Sequence, residues 1–523
     1  MSSQIRFLID ALSDPSVYPQ PVDKIHVIQT HISVIFIAGD FVYKIKKPLN
    51  LGFLDYTTLE KRRFFCQQEV TLNSRFSQGI YLGVVDICVQ NSRINLAGQG
   101  DIIEVAVLMK KIPEDRVLKT LLLRDEIEDS HILDLARRLE HFHSNAPQGK
   151  HISLFGAPEV IHQNLTENFE QVRNYVGLCI EQDVLDGISS RSFEFLGKYL
   201  PDFRGRVEKG FIRDLHGDLH TEHIVFLEEV MLVDCIEFND RFRYSDIVSD
   251  LAFLLMDLDY LGFPGLSDKL HLHYSRDCDQ DFVAGLYGFY KSYRAFVRGK
   301  VNSFALGEAE IPEDMKTAAM KSSRDYFKLS AWYLNIRKNP LLIVMCGLMG
   351  AGKSFIAKKL AGRTGATLIR SDVARKQILG LQVSDRRQED YDQGIYSPNV
   401  TQDTYSYMFE QASGILGQGA SVIIDASFAS RDYREMARKT ADLNHARFAL
   451  IYVTAPDNVI RDRLTLRELD PNEPSDGRWE LFHEQKSHFQ EIQPSESTDL
   501  NTYESSRHSE TELGNLVRNI FFK

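Results

Sequence analysis

Hydrophobic positions near the start of the chain fall in short β-rich runs. Residues 25–47 read "IHVIQTHISVIFIAGDFVYKIKK", and Gly39-Asp40 separates two apolar runs in the way that marks a hairpin turn. Residues 54–76 change to a helical composition, and Thr57 and Glu60 have capping-box spacing at their start. The pattern is then mainly helical over 130–210 and 245–335. We predict an antiparallel β lobe followed by a larger helical lobe, a bilobal α+β domain over residues 1–338.

A different pattern begins near residue 338. Pro340 precedes an apolar run that leads directly into the glycine-rich stretch "GLMGAGKS" and a helical segment from Lys353. Two more apolar runs, "ASVIIDAS" and "ARFALIYVTAP", alternate with helical segments, as in a parallel α/β sheet. We predict an α/β domain over 339–495, and a polar tail with a terminal helix over 496–523.

Composition limits the kind of protein this can be. The chain has 523 residues with 43% hydrophobic and 26% charged residues, which fits two or three globular domains. A net charge of −12 disfavours nucleic acid as a partner. The six cysteines form no CxxC pair, and no apolar run reaches the roughly 18 residues that cross a membrane. We expect a cytoplasmic protein without a membrane partner.

The stretch "GLMGAGKS" matches GxxxxGKS between a predicted strand and a predicted helix. Backbone N–H groups of such a loop surround phosphate oxygens, and the glycines Gly347, Gly350 and Gly352 permit that close approach. Lys353 would reach the terminal phosphates of a nucleotide, and the Ser354 hydroxyl would ligate Mg²⁺. The sequence therefore predicts a nucleotide site that uses ATP and Mg²⁺.

Polar residues beyond the loop complete this predicted site. Asp425 ends the run "SVIID" and is placed to hold Mg²⁺. Asp372 follows the run "TLIRS" and would accept the proton of a substrate hydroxyl, or would cap a helix starting at Val373. Arg463 and Arg467 lie four residues apart, so one helix face could present both to the transferred phosphoryl group.

Residues 341–490 resemble the small P-loop kinases, the group that includes gluconate kinase, polynucleotide 5′-kinase and zeta-toxin-like enzymes. The resemblance rests on "GLMGAGKS", on the two strand-end aspartates and on the arginine pair. It implies that Asp372 is the base for the acceptor hydroxyl and that Arg463 and Arg467 clamp the phosphates. It does not identify the acceptor.

The stretch "IRDLHGDLHTEHIVF" and the later "VMLVD" place two acids sixteen positions apart, Asp218 and Asp234. They resemble the catalytic loop and metal aspartate of the aminoglycoside phosphotransferase and choline-kinase-like family, over residues 20–335. The resemblance implies that Asp218 orients the acceptor hydroxyl and that Asp234 binds Mg²⁺. Lys44 would contact the phosphates and Glu69 would orient it, with Lys46 as the alternative lysine by strand alternation.

His223 stands where this family has asparagine. The amide oxygen of asparagine suits Mg²⁺, whereas an imidazole nitrogen suits softer metals better. His223 would join Asp234 at the metal and shift the preference toward Mn²⁺, or it would weaken the Mg²⁺ site, or it would leave one metal held by Asp234 alone. His216, His220 and His223 also have the spacing HxxxHxxH, which leaves a zinc site as a weaker interpretation. The hairpin "IQTHISVIF", expected to cover the nucleotide, contains no glycine.

This domain order resembles bacterial fusion proteins that are often labelled AAA-family ATPases. We expect a bifunctional ATP-dependent kinase whose two domains phosphorylate hydroxyls of small-molecule or nucleotide-type acceptors. The alternative is a ligand-sensing pseudokinase domain that regulates a C-terminal P-loop ATPase or kinase. A third hypothesis, a toxin or repair kinase acting on nucleotide sugars or nucleic-acid ends, rests on the C-terminal resemblance.

Overall fold

The computed structural model describes residues 3–521 except 53, 92, 97, 99, 125, 275–280, 309–310, 337–339, 383–392, 469–477, 494–495, 497–498 and 508–509. The chain divides into two compact units. The first contains Met1–Tyr260 and Leu266–Asn335, and the second contains Leu261–Gly265 and Ile336–Lys523. The predicted boundary at 338 lies outside the described residues.

An antiparallel sheet forms the β part of the first unit. Its strands are β1 (Ile25–Gln29), β2 (Ser33–Ala38), β3 (Phe41–Lys46), β4 (Tyr81–Gln90), β5 (Arg93–Leu96) and β6 (Asp101–Lys110), in the order β1-β2-β3-β6-β4-β5. Gly39-Asp40 joins β2 to β3, whose end residues Ala38 and Phe41 are paired. Gly39 has φ 63°, a conformation that glycine adopts without strain. The hairpin predicted at this dipeptide is confirmed.

Helices make up most of the rest of this unit. They are α1 (Ser3–Leu12), α2 (Leu59–Asn73), α3 (Leu118–Leu123), α4 (Asp129–Asn145), α5 (Lys150–Ser153), α6 (Pro158–Val172), α7 (Gln182–Lys198), α8 (Leu200–Glu208), α9 (Asp240–Arg243), α10 (Ile247–Leu261), α11 (Pro264–Tyr274), α12 (Asp281–Phe304) and α13 (Glu313–Tyr333). Helix α10 is buried on all sides from Val248 to Leu258, as expected for a helix at the centre of a helical layer. The predicted β lobe and helical lobe are confirmed.

One helix start differs from the prediction by one residue. Thr58, not Thr57, caps α2, and its hydroxyl accepts the N–H of Lys61. Thr57 is unavailable because its N–H and hydroxyl both bond to the Asp55 carboxylate. Sequence spacing identified the helix, but a local side-chain turn decided the cap.

Four short strands lie in the segments between helices α8 and α10. They are β7 (Ile212–Asp214), β8 (Ile224–Phe226), β9 (Val230–Leu232) and β10 (Tyr244–Asp246). β8 and β9 form an antiparallel hairpin, and β7 pairs with β10. Because Asp218 lies between β7 and β8 while Asp234 follows β9, this arrangement brings the two acids to the same edge.

The second unit is built on a parallel sheet. Its strands are β11 (Leu341–Cys346), β12 (Thr367–Arg370), β13 (Val422–Asp425), β14 (Arg447–Thr454) and β15 (Leu500–Glu504), in the order β12-β13-β11-β14-β15. Its helices are α14 (Lys353–Thr364), α15 (Ser371–Ile378), α16 (Pro398–Gly417), α17 (Arg431–Leu443), α18 (Asp457–Glu468), α19 (Phe482–His488) and α20 (Glu510–Phe521). Buried cores lie on both faces of the sheet. The predicted α/β class is confirmed.

The sheet extends beyond residue 495, where we expected a polar tail. Leu500–Glu504 pairs with β14 as an edge strand, and α20 contributes Leu513, Leu516 and Ile520 to the core. The strand escaped prediction because "LNTYE" is short and half polar, as edge strands often are. The expected terminal helix is present. No helix in the described part of the chain is both long and apolar enough to cross a membrane.

Candidate active sites

A glycine-rich loop joins β11 to α14 in the second unit. Gly347 has φ 138°, and a side chain there would meet the Val453 carbonyl oxygen at 2.3 Å. Gly352 has φ 97° and directly precedes the first residue of α14. Both positions therefore require glycine. The loop ends at a helix N-terminus, where backbone N–H groups favour an anion.

Lysine, serine and aspartate side chains converge on this loop. The Lys353 ammonium donates to the Leu348 carbonyl 2.8 Å away, so it lies over the loop. The Ser354 side chain acts to lower the pKa of the Asp425 carboxylate at the end of β13, as a neighbouring hydroxyl does. Burial raises the pKa of Asp425, although Ser354, Lys353 and Arg370 oppose that shift. A hydroxyl and a carboxylate oxygen are hard ligands that fit Mg²⁺.

The other predicted residues of this site, Asp372, Arg463 and Arg467, lie outside the glycine-rich loop. Asp372 is in the first turn of α15, which begins at Ser371, so the predicted cap of a helix starting at Val373 is wrong. Its charge contributes to the raised pKa of Asp425, which places the two acids near each other. The charge of one acid raises the pKa of another in this way when the two lie close together in a weakly screened site. Asp372 also forms an ion pair with Arg375 at 3.6 Å.

Arg463 is linked to the glycine-rich loop through Ser505. Its guanidinium donates to the hydroxyl and the carbonyl of Ser505, at 2.7 and 3.0 Å. The Ser505 hydroxyl donates in turn to the Ala351 carbonyl of the glycine-rich loop. In this conformation Arg463 therefore braces the loop, and its contact with phosphate stays a prediction. Arg467 lies in the same helix, α18.

In the first unit, two neighbouring lysines of β3 share one carboxylate. Lys44 donates to Glu69 at 2.9 Å and to Asp234 at 2.6 Å. Lys46 donates to the other oxygen of Glu69 at 2.6 Å and to Glu237. Lys46 is 1% exposed and Lys44 is 14% exposed, so Lys44 is the lysine that a ligand could reach. The two lysines point to the same face because they lie two positions apart in β3.

These ion pairs shift the pKa of each partner. Burial would lower the pKa of Lys44, but Asp234 and Glu69 outweigh burial and raise it well above its usual value. Burial would raise the pKa of Asp234, but Lys44 and His223 lower it. The same balance lowers the pKa of Glu69. All three groups are charged at neutral pH.

The loop after β7 holds Asp218 beside two imidazoles. His220 Nε2 lies 3.5 Å and His223 Nδ1 lies 3.7 Å from Asp218 Oδ2. His223 Nε2 lies 3.7 Å from Asp234 Oδ2. Burial opposes ionisation of Asp218, but the imidazoles and Arg298 lower its pKa. Burial lowers the pKa of His223 to about 4, so that ring is neutral near pH 7.

A buried acid holds this loop in place. Asp250 accepts the backbone N–H groups of His216 and Gly217, at 3.3 and 2.9 Å. The His216 ring bonds to the Val233 carbonyl at 2.9 Å, which ties the loop to the segment that carries Asp234. His216 thus supports the loop next to Asp218, whose backbone N–H its Nδ1 accepts at 3.3 Å, and it is not a member of the group formed by Asp218, His220 and His223.

Residues 342–492 match the family model described as "AAA domain". The second unit carries an AAA-type P-loop domain. This P-loop domain contains Gly347, Gly350, Gly352, Lys353 and Ser354 in the loop.

Curated relatives cover both units. An uncharacterised protein of Mycobacterium tuberculosis and one of Mycobacterium bovis are each 29% identical over 446 residues, which is 85% of this chain and 86% of theirs.

Several solved structures are similar to parts of the chain. A choline/ethanolamine kinase family protein from Mesorhizobium loti is 10% identical, with a TM-score of 0.37, and the match covers 63% of this chain and 99% of that one. A gluconokinase from Sinorhizobium meliloti is 20% identical, with a TM-score of 0.25, and the match covers 36% of this chain and 98% of that one.

Three residues of these sites were not predicted. Glu237 pairs with Lys46, and Tyr81 accepts the backbone N–H of Asp234 through its hydroxyl at 3.0 Å. Ser505 braces the loop of the P-loop domain. The spacing of Glu237, three positions after Asp234, was the available signal for the first of them. Tyr81 and Ser505 belong to strand ends that are distant in sequence and gave no signal.

Proposed function

We propose that the protein is an ATP-dependent phosphotransferase with two sites, each of which transfers the γ-phosphoryl group of ATP to a hydroxyl of a small-molecule or nucleotide-type acceptor. The observation that carries the proposal is the glycine-rich loop at the start of α14, with positive φ at Gly347 and Gly352 and the Lys353 ammonium 2.8 Å from the Leu348 carbonyl. Ser354, Asp425 and Asp372 complete the set. This set contains hydrogen-bond donors for phosphate oxygens, ligands for a cation and a nearby acid that can accept a proton.

In the P-loop domain, the loop N–H groups and Lys353 would bind the ATP phosphates. The acceptor oxygen forms a bond to the γ-phosphorus while the bond from that phosphorus to the β,γ-bridging oxygen breaks, and Asp372 takes the hydroxyl proton. Ser354 and Asp425 would hold Mg²⁺, which when bound neutralises phosphate charge. ADP is the leaving group.

In the first unit, Lys44 would bind phosphate, Asp234 would hold Mg²⁺ and Asp218 would orient the acceptor hydroxyl. Support comes from the ion pairs that link Lys44, Glu69 and Asp234, and from the position of Asp218, whose neighbour His223 also faces Asp234. The fit to Mg²⁺ is poorer here, because His223 offers nitrogen where an oxygen ligand suits that ion.

The test measures ATP turnover and nucleotide binding by the full chain with Mg²⁺, for wild type, Lys353→Ala, Asp218→Asn and the double variant. Two working sites predict that turnover persists in each single variant and disappears in the double variant. If Lys353→Ala alone removes all turnover and Asp218→Asn has no effect, the first unit is not a kinase and the regulatory alternative gains. If no protein turns over ATP with any acceptor offered, the proposal fails.

A further inference from the structure

The loop after β7 brings together donor atoms of a kind that Mg²⁺ does not select. One ligand atom from each of Asp218, His220 and His223 lies within 4.8 Å of the other two. The imidazole rings of His220 and His223 pack against each other in a tilted arrangement, with 3.9 Å between centroids and 35° between their planes. Asp234 Oδ2 faces His223 Nε2 across 3.7 Å.

The spacing of these atoms is too long for hydrogen bonds. His220 Nε2 lies 3.5 Å from Asp218 Oδ2, and His223 Nε2 lies 3.7 Å from Asp234 Oδ2, beyond the usual range of N–H···O bonds. Two atoms bound to one Zn²⁺ at about 2.1 Å each stand about 3.4 Å apart in a tetrahedral site. A cation of that size therefore fits between the groups after small side-chain movements.

A backbone contact fixes the orientation of one ring. His223 Nδ1 lies 2.8 Å from the Asp218 carbonyl oxygen. Because a carbonyl can only accept, Nδ1 carries the proton of this bond, and Nε2 is left with a lone pair toward Asp234. Metal-binding histidines commonly donate their second N–H to a backbone carbonyl in this way, since the bond fixes both tautomer and ring orientation.

Neighbouring groups also stabilise the second ring. His220 Nδ1 accepts the backbone N–H of Glu222 at 3.4 Å, so Nε2 is the nitrogen that faces Asp218. The ring is 4% exposed and therefore has little freedom to turn away. Binding a cation at Nε2 displaces the proton of that nitrogen to solvent.

We propose that Asp218, His220 and His223, with Asp234 opposite, form a binding site for a divalent transition metal of the Zn²⁺ class. Two imidazole nitrogens and carboxylate oxygens suit Zn²⁺, while Mg²⁺ prefers oxygen ligands alone. The bound ion occupies the carboxylate of Asp218. On the proposed function, Zn²⁺ is therefore an inhibitor of transfer at the first unit.

The experiment measures uptake of Zn²⁺ by the chelator-treated full chain in excess Mg²⁺, by competition with a chromophoric chelator. The variants are His223→Asn, His220→Asn and the control His445→Asn. His445 is an exposed histidine of the second unit with φ 50°, a conformation that asparagine also tolerates, so the control removes an imidazole without strain. Asparagine at 223 can still donate to the Asp218 carbonyl, which protects the loop.

Wild type and His445→Asn should each bind one Zn²⁺ that the other two variants bind at least about 10-fold more weakly. Equal uptake by all four proteins would overturn the proposal, as would a loss confined to His445→Asn. Circular dichroism and thermal unfolding identify a variant that fails to fold, and the second histidine variant then decides.

A kinetic arm separates this inference from the proposed function. With Lys353→Ala as background, Zn²⁺ should inhibit the remaining ATP turnover, and His223→Asn should remove that inhibition. If that background shows no turnover while Zn²⁺ uptake still requires both histidines, the kinase assignment of the first unit fails and the metal site stands. If turnover is present and Zn²⁺ inhibits both proteins equally, the inhibitory ion is bound elsewhere and the proposal fails.

Discussion

Glu69→Gln tests whether the shared carboxylate of the first unit stabilises the fold. Glu69 is fully buried and accepts from the ammonium groups of Lys44 and Lys46. A glutamine of the same shape offers one oxygen, so its NH₂ group must face one of the two ammonium groups, donor against donor. The variant also leaves two buried cations with one acid fewer.

The expected cost follows from what remains. Removing one partner of a buried ion pair costs about 3–5 kcal/mol. Lys44 keeps Asp234 and Lys46 keeps Glu237, so we expect the lower end, about 3 kcal/mol. With a urea dependence of about 3 kcal/mol per M for a unit of this size, the unfolding midpoint should fall by about 1 M.

Tryptophan fluorescence can report on this unit alone. The chain has two tryptophans, Trp332 in α13 of the first unit and Trp479, which stacks on Phe482 in the second. A Trp479→Phe background leaves Trp332 as the probe in urea unfolding. The matched control is Glu140→Gln, at an exposed position of α4.

A midpoint shift in Glu69→Gln no larger than that of the control would refute the reasoning. The buried lysines would then be stabilised by Asp234 and Glu237 alone. An unchanged midpoint with weakened nucleotide binding would mean that Glu69 orients Lys44 for ligand without contributing to the fold.

Three further outcomes are expected. Lys353→Ala should weaken ATP binding by the P-loop domain about 10- to 100-fold, the loss of a charged hydrogen bond, measured by fluorescent-nucleotide titration in an Asp218→Asn background. Ser505→Ala should destabilise the second unit by about 1–2 kcal/mol, because the Ala351 carbonyl loses its donor, and Trp479 fluorescence during unfolding checks this. Acid should destabilise the first unit, because the lowered pKa of Glu69 gives stability that is present above about pH 4.5 and is lost as pH falls through the folded-state pKa. In urea unfolding at acid pH, the free energy of unfolding of Glu69→Gln should therefore fall less steeply with pH than that of wild type.

Local patterns in the sequence predicted the parts of the fold that local patterns determine. The strand, loop and helix around Lys353 follow from apolar periodicity and from three glycines whose φ angles are positive. The hairpin at Gly39-Asp40 follows in the same way. In both places the backbone conformation is set by residues within a few positions, so a single stretch is sufficient evidence.

Contacts between distant segments were harder to predict. Lys44 and Lys46 lie two positions apart and therefore on the same face of an ideal strand, so strand alternation made them alternatives. The structure instead gives both lysines one shared acid, Glu69, with Glu237 as the fourth member. Such a network depends on tertiary packing of β3, α2 and the segment after β9, which no spacing rule contains.

Arg463 shows a second kind of limit. Its spacing from Arg467 predicted a phosphate clamp, and the helix is present as expected. Its bonds to Ser505 could not be foreseen, because the partner lies in a segment expected to be a polar tail. The role of an arginine is decided by the acceptors near it, and those came from an edge strand with a weak sequence pattern.

The ion pair between Lys44 and Asp234 has a consequence for how the first unit would bind its ligands. A nucleotide phosphate needs Lys44 and a cation needs Asp234, yet these two groups neutralise each other at 2.6 Å. A phosphate alone must draw Lys44 away from Asp234, and a cation alone must draw Asp234 away from Lys44, so each leaves one of the two charges with a partner fewer. When both ligands enter together, each group exchanges one opposite charge for another. Nucleotide and metal binding at this site are therefore expected to be cooperative.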